Sequence, residues 1–250
     1  MDVDSRFQQA IQSYWKTRSG NIEKQKASGR MEAGSRGEVT GGTQMTALEV
    51  LVSEMICEAG LRREEIFMRG SVELPGYFRS TKKWDLVAVS EGRLVLAIEF
   101  KSQAGKSIGN NVNNRTEETA GSANDIWTAY REERFGQGAA PFLGYLFLLE
   151  DRENVRRAVR NKEPHFAVDP VFRGEVRSIR GKEGFTGTSY SKRYETLCHR
   201  LVLERLYTAA CFTMATNEAE TQVSHPSEEL SFQRFTAAIR GHVIGFVGGR

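Results

Sequence analysis

Two alternating apolar runs, Trp84 to Val89 and Arg93 to Lys101, are separated only by Ser90-Glu91-Gly92. A link that short, ending in glycine, leaves little besides a tight β-hairpin, so the fold must contain two adjacent antiparallel strands here. A period of two puts Leu94, Leu96, Ile98 and Phe100 on one face of the second strand, and Val95, Ala97, Glu99 and Lys101 on the other. Glu99 and Lys101 thus project side by side, and the returning strand brings Asp85 close to Glu99. Two carboxylates and an amine gather in one cluster.

The flanking patterns supply the rest of the architecture. A short helix is predicted from Phe7 to Trp15, and a second runs from a cap at Thr43 or Thr46 to about Ala59, with Leu48, Leu51, Val52, Met55 and Ile56 as its apolar stripe. The chain continues through Ile66 to Leu74 and a turn at Pro75-Gly76 to the hairpin. A polar loop, Gly105 to Asn114, then leads into a helix from Thr116 to about Arg134. Phe142 to Leu149 is a continuous apolar run of strand length, predicted to be buried on both faces. A long helix is predicted over Tyr190 to Met214 and an amphipathic one near Glu228 to Arg240. This order predicts an α/β fold with a mixed sheet.

Charge is unevenly spread. The total of 35 Lys and Arg against 32 Asp and Glu gives +3, which alone excludes no partner. Lys16 to Arg36, however, carries six basic residues against Glu23 and Glu32, and is rich in Gly and Ser as far as Gly41-Gly42. It reads as a mobile basic arm. Arg152 to Arg200 holds twelve basic residues against six acidic ones. Solvated surface accounts for either run by itself, but two of them flanking an acidic centre favour a polyanionic partner. No run approaches the roughly 18 apolar residues of a membrane span, and no signal-peptide pattern opens the chain. Cys57, Cys198 and Cys211 form no C-x-x-C pair, and a reduced cytoplasmic setting is expected.

Oxygen ligands without His or Cys suit a hard cation, Mg²⁺ above others, which keeps several waters. Such an ion polarises a phosphoryl oxygen and acidifies bound water, and the Lys101 ammonium can orient the attacking water. The bare spacing also occurs on strands that merely face solvent. Gly105-Lys106-Ser107 is no phosphate-binding P-loop, because Phe100 stands where the pattern needs glycine. The four histidines show no metal-ligand spacing, and Cys198-His199 reads as core packing.

Asp85 with Glu99-Phe100-Lys101 resembles the catalytic signature of the PD-(D/E)XK nuclease superfamily, with Trp84 replacing the usual proline. The string from Glu99-Phe100-Lys101 through Asn110, Asn111, Asn113, Asn114 and Arg115 to Asn124-Asp125-Ile126-Trp127 is similar to the XhoI family of type II restriction endonucleases. The likeness is sharpest from Trp84 to Arg131. It implies a PD-(D/E)XK core, a mixed central β-sheet flanked by helices, with additional C-terminal helices. Residues 1–250 then form one nuclease domain: helix and basic arm to 42, catalytic core over 43–150, and basic region with C-terminal helices over 151–250. The resemblance implies a homodimer that recognises double-stranded 5′-CTCGAG-3′ and cuts after the first C. The products carry 5′-phosphates and four-base 5′ overhangs, Mg²⁺ is required, and a companion methyltransferase protects the same site. Asp85, Glu99 and the Phe100 carbonyl are the implied metal ligands, and Lys101 orients the water. A further carboxylate from the preceding helix often joins such sites; on the helical wheel Glu49 flanks the apolar stripe, whereas Glu54 points away.

For base reading, Asn can address adenine and Arg guanine, which singles out Lys106, Asn110, Asn111, Asn113, Asn114 and Arg115. Asparagines serve turns equally well. Lys192 and Arg193, at the end of Gly184 to Arg193, can reach bases or simply sit beside the cap of the following helix. Two other readings stay open: a repair nuclease or resolvase on the same core, and a non-catalytic DNA-binding protein that keeps the scaffold.

Overall fold

A nine-residue segment without a single exposed position, Phe142–Glu150, dictates the centre of the molecule. Such a strand needs paired neighbours on both edges and cover on both faces. The computed structural model describes residues 2–27, 42–105, 108–174 and 186–250, with the backbone alone for 24–27, 42 and 110. Its strands, in chain order, are β1 (Ile66–Met68), β2 (Glu73–Pro75), β3 (Thr81–Lys83), β4 (Leu86–Ser90), β5 (Arg93–Gln103), β6 (Phe142–Glu150), β7 (Ala209–Ala215) and β8 (Val223–Ser224). Its helices are α1 (Val3–Ala27), α2 (Thr46–Glu58), α3 (Ile108–Arg131), α4 (Glu153–Arg156), α5 (Pro170–Arg173), α6 (Tyr190–Leu203) and α7 (Phe232–Gly248).

Six strands form one sheet in the order β1-β4-β5-β6-β7-β8, while β2 and β3 make a separate hairpin. β5, β6 and β7 run parallel and the outer pairings are antiparallel. On one face α1, α2 and α7 pack Ile11, Tyr14, Leu48, Val52, Phe232 and Ile239 against Leu86, Leu96, Ile98 and Leu146. On the other, α3 and α6 bring Ala123, Ile126, Tyr194, Cys198 and Leu201 onto Val87, Ala97, Tyr145, Phe147 and Phe212. The expected mixed sheet between helices is present, C-terminal helices included. All three cysteines are free. Among the described residues no helix is long and apolar enough to cross a membrane.

Several boundaries depart from the sequence pattern. α1 continues past Trp15 to Ala27, because Tyr14, Trp15 and Arg18 all stay buried as it runs on. Packing there outweighs the cost of Gly20 and the polar composition. The proposed arm therefore begins as helix, and residues 28–41 lie outside the described residues. α2 starts at Thr46 with no side-chain cap from a threonine. The polar loop expected over Gly105 to Asn114 is the start of α3 from Ile108 onward: Ile108 and Val112, one turn apart, are both buried and hold the asparagines between them in helical register. The long helix expected over Tyr190 to Met214 ends at Leu203; Arg205 turns left-handed at φ 56°, and Ala209–Ala215 pairs with β6 as a strand. A run buried on every side carries no period by which helix and strand can be distinguished. The last helix begins at Phe232, capped by the Ser231 hydroxyl, and reaches Gly248.

The two strands of the Trp84–Lys101 hairpin pair as expected, with one irregularity. Ala88 pairs with Leu96 but Val89 pairs with Leu94, so Val95 is an extra residue on β5. Leu94 consequently sides with Ala97 against α3 and α6, and Val95 with Leu96, Ile98 and Phe100 on the opposite face. The simple period of two holds only from Leu96 onward.

Glu65 ties the end of the α2–β1 connection to this hairpin. Its buried carboxylate accepts hydrogen bonds from the Ser90 hydroxyl at 2.6 Å, the Arg62 N–H at 2.8 Å and the Arg250 guanidinium at 3.0 Å. Burial would raise its pKa, yet these partners hold it at about 2. A depressed carboxylate contributes stability that is full above its unfolded value and lost as pH falls towards the folded one. Glu65→Gln is therefore expected to be less stable than the parent at pH 6 in urea denaturation. The gap should shrink as pH falls from 4.5 towards about 2; a gap independent of pH would contradict this account.

Candidate active site

The turn between β4 and β5 is the two-residue kind, with positive φ at Glu91 (52°) and Gly92 (74°) and with Ser90 facing Arg93. That turn matches the twist of the strands and fixes their register. Pairing runs to Leu86 opposite Ile98, which leaves Asp85 beside Glu99 as the strands diverge. Asp85 Oδ2 accepts the Phe100 N–H at 2.8 Å, so the side chain stands in for a missing ladder carbonyl.

Glu99 is 3% exposed and is bonded at both oxygens. Oε1 lies 2.7 Å from the Lys101 ammonium and 3.2 Å from that of Lys82. Oε2 accepts the hydroxyl of the buried Tyr207 at 3.3 Å. Lys82 comes from β3 and packs its ammonium 4.4 Å above the Trp84 ring. Lys82 and Tyr207 are the two members of the cluster that sequence reasoning missed. Lys82 had a signal, since Lys82-Lys83 immediately precede Trp84-Asp85. Tyr207 had none while Ala209–Ala215 passed for helix.

The electrostatics of the three carboxylates differ. Burial would raise Glu99, but Lys101 and Lys82 together outweigh it and hold the carboxyl below its ordinary value. Burial raises Asp85, the nearby Glu99 adds to that, and Lys101 with the Phe100 N–H offsets only part. Glu49, on α2, is 5% exposed, and burial followed by the charge of Asp85 pushes it to about 7; Arg69 opposes this. The alternative on the same helix, Glu54, is exposed and bonded to Arg6 at 3.0 Å. Asp85, Glu99, Lys101 and Glu49 thus converge electrostatically, with the Phe100 backbone between them.

Among the described residues no three or more His, Cys, Asp or Glu side chains lie close enough together to hold a metal ion. The protein offers two adjacent carboxylates, and two ammonium groups supply the positive charge that they need. That donor set fits a hard cation retaining much of its water.

The DNA-reading candidates are more dispersed. Lys106 lies outside the described residues, as does the side chain of Asn110. Asn111, Asn113, Asn114 and Arg115 occupy the first turns of α3, with Asn113 and Asn114 exposed. Arg115 is largely covered and pairs with Glu118 at 2.9 Å. Asn113 and Arg193 line one cleft of about 430 Å³ between α3 and α6, together with Asn161 and Arg200. Arg193 is bound there to Asn161 at 2.9 Å, whereas Lys192 is exposed and pairs with Glu195 at 2.8 Å.

A buried carboxylate stripped of its cations is costly, by about 3–5 kcal/mol. Lys82→Met/Lys101→Met is expected to lose stability of that order in urea unfolding, and adding Glu99→Gln should restore most of it. Equal stability of the double and triple variants would show that the two lysines do not compensate Glu99.

Known proteins resemble this chain over most of its length. Residues 24–227 match the family described as "Restriction endonuclease XhoI". The type II restriction enzyme BstVI of Geobacillus stearothermophilus is 41% identical over 224 residues, covering 87% of this chain and 94% of its own. The type II restriction enzyme XhoI of Xanthomonas vasicola is 39% identical over 196 residues, 78% of this chain and 73% of its own. The type II restriction enzyme AbrI of Azospirillum brasilense is 45% identical over 189 residues, 72% and 84% respectively. No solved structure gives a match. The chain belongs to the XhoI family of restriction endonucleases.

Proposed function

We propose that this protein is a type II site-specific deoxyribonuclease whose hydrolytic centre is formed by Asp85, Glu99 and Lys101. The observation that carries the reading is the convergence of these groups at the diverging end of one hairpin, in a chain matched to the family over residues 24–227. Asp85 and Glu99, with the Phe100 carbonyl, would hold Mg²⁺, and Glu49 is placed to approach Asp85 from α2. When bound, Mg²⁺ supplies Lewis acidity at a phosphoryl oxygen and lowers the pKa of water. Lys101 donates a hydrogen bond that orients the attacking water, and its charge offsets that of the phosphorane. Glu99 keeps Lys101 in place until substrate arrives. Bond breaking at the 3′ oxygen leaves the phosphate on the 5′ end.

The substrate we assign is double-stranded DNA carrying 5′-CTCGAG-3′, cut after the first C to leave four-base 5′ overhangs. This assignment rests on the family resemblance. A palindrome matches a two-fold axis, so a homodimer can present one centre to each strand. The basic region Arg152 to Arg200 and residues of α3 would supply salt-dependent affinity and base choice. A methyltransferase modifying the same sequence would be the companion activity. The three free cysteines fit the reduced cytoplasm, where such a pair would work.

Phage DNA incubated with the protein and Mg²⁺ should give discrete fragments whose sequenced ends define the site. Chelation should abolish cutting. Asp85→Asn and Lys101→Met should each lower cleavage by at least about a hundredfold while duplex binding persists. Cleavage at the parental rate by either variant would refute the assigned centre, and cutting only at branched or damaged DNA would favour a repair nuclease.

A further inference from the structure

The hairpin that delivers Lys82 to Glu99 ends in a tip that the chemistry above leaves unused. Its base is fixed: Leu74 pairs with Lys82, and Val72, Leu74 and Trp84 are buried in the core beneath α3. Its tip, Gly76 to Ser80, is held by the side chain of Asp125, which is 2% exposed on α3. Asp125 Oδ1 accepts the N–H of Tyr77 at 2.9 Å and of Phe78 at 2.7 Å, and Oδ2 pairs with Arg79 at 3.0 Å. A Cβ at Gly76 would come within 2.5 Å of Asp125 Oδ2, so the close approach requires glycine. A buried carboxylate with three charge-assisted bonds thus rigidifies a turn.

That turn presents its aromatic rings to solvent. Tyr77 is 53% and Phe78 68% exposed, with ring centroids 5.0 Å apart in an edge-on pair. Isolated exposed apolar residues need no explanation, but two adjacent rings on an anchored turn lose by facing water unless something covers them. The position of the turn indicates what does. Arg79 is engaged by Asp125 and Lys82 by Glu99, which leaves Lys83 exposed on the same hairpin, and the strand that follows the tip runs into the cluster of Asp85, Glu99 and Lys101. Only Thr81 lies between this tip and Lys82, so β3 leads directly from the rings to Glu99.

We infer that the Tyr77-Phe78 tip is an aromatic contact to duplex DNA beside the phosphate addressed by Asp85, Glu99 and Lys101. Rings of this kind pack on sugars or stack on bases opened at a flexible step, while the exposed Lys83 follows the phosphates. Asp125, part of the string that resembles the family, has its role here: it orders the tip before DNA arrives, so that binding does not bear that entropy. The inference deepens the nuclease reading and rests on it.

The test uses the full chain and a fluorescent duplex containing the sequence that the parent protein cuts, bound in metal-free buffer. Tyr77→Ser/Phe78→Ser should weaken binding by about ten- to a hundredfold, with unchanged thermal midpoint and oligomeric state. Ile244→Ser, at an equally exposed site on α7, should bind as the parent does. Binding by the double variant within twofold of the parent would overturn the inference. So would a loss of binding that coincides with a change of mass in light scattering, which would make the tip a contact between copies. Asp85→Asn run alongside separates the two claims: if it still cuts, the centre is misassigned whatever the tip does. Should the parent bind no duplex, both fall.

Discussion

The carboxylate of Glu99 is a charge placed where the protein is otherwise dry, and much of the surrounding structure compensates it. Lys101 arrives from the same strand, Lys82 from a separate hairpin, and Tyr207 from the link between α6 and β7. An uncompensated ion at such a depth would either protonate or unfold its surroundings. Here it stays ionised, because two ammonium groups reach one of its oxygens. The same contacts fix the Lys101 and Lys82 ammonium groups beside one carboxylate oxygen.

The parallel trio β5-β6-β7 makes that site possible. Parallel strands end on the same edge of a sheet, and connections leaving there gather polar groups in one place. Glu150, at the end of β6, accepts the Gly105 N–H at 2.7 Å, so the neighbouring strand pins the turn from β5 into α3. α3 then spans the whole region. Its first two turns carry Asn111, Asn113 and Asn114, in its middle the Thr119 carbonyl accepts the Tyr207 hydroxyl at 3.4 Å, and Asp125 further along secures the β2–β3 tip. One helix therefore sets the relative positions of groups contributed by three different parts of the chain.

The sequence is legible where an interaction is local and periodic. The hairpin follows from its link length, β6 from an unbroken apolar run, and the adjacency of Asp85 and Glu99 from register. Glu49 could be preferred over Glu54 because a helical wheel reports burial. Legibility fails where contacts span long intervals. Tyr207 reaches Glu99 across 108 residues, a distance at which no pattern on the chain signals the partner, and Lys82, 17 residues away, is marked only by standing next to Trp84-Asp85. It fails also where burial erases periodicity, as in Ala209–Ala215, and where two well-placed apolar residues override composition, as Ile108 and Val112 do for the asparagines of α3.

The extra residue at Val95 has a consequence for how this strand can change. It makes the strand's side-chain parity depend on length as well as on composition. Removing one residue between Arg93 and Ile98 would erase the bulge or turn Glu99 and Lys101 towards the packing of α1, α2 and α7, while Ile98 and Phe100 faced α3 and α6. Two removals would preserve the facing but shift the register against β4. Substitutions can accumulate on this strand one at a time, whereas a single deletion leaves Glu99 facing its partners only where the bulge absorbs it.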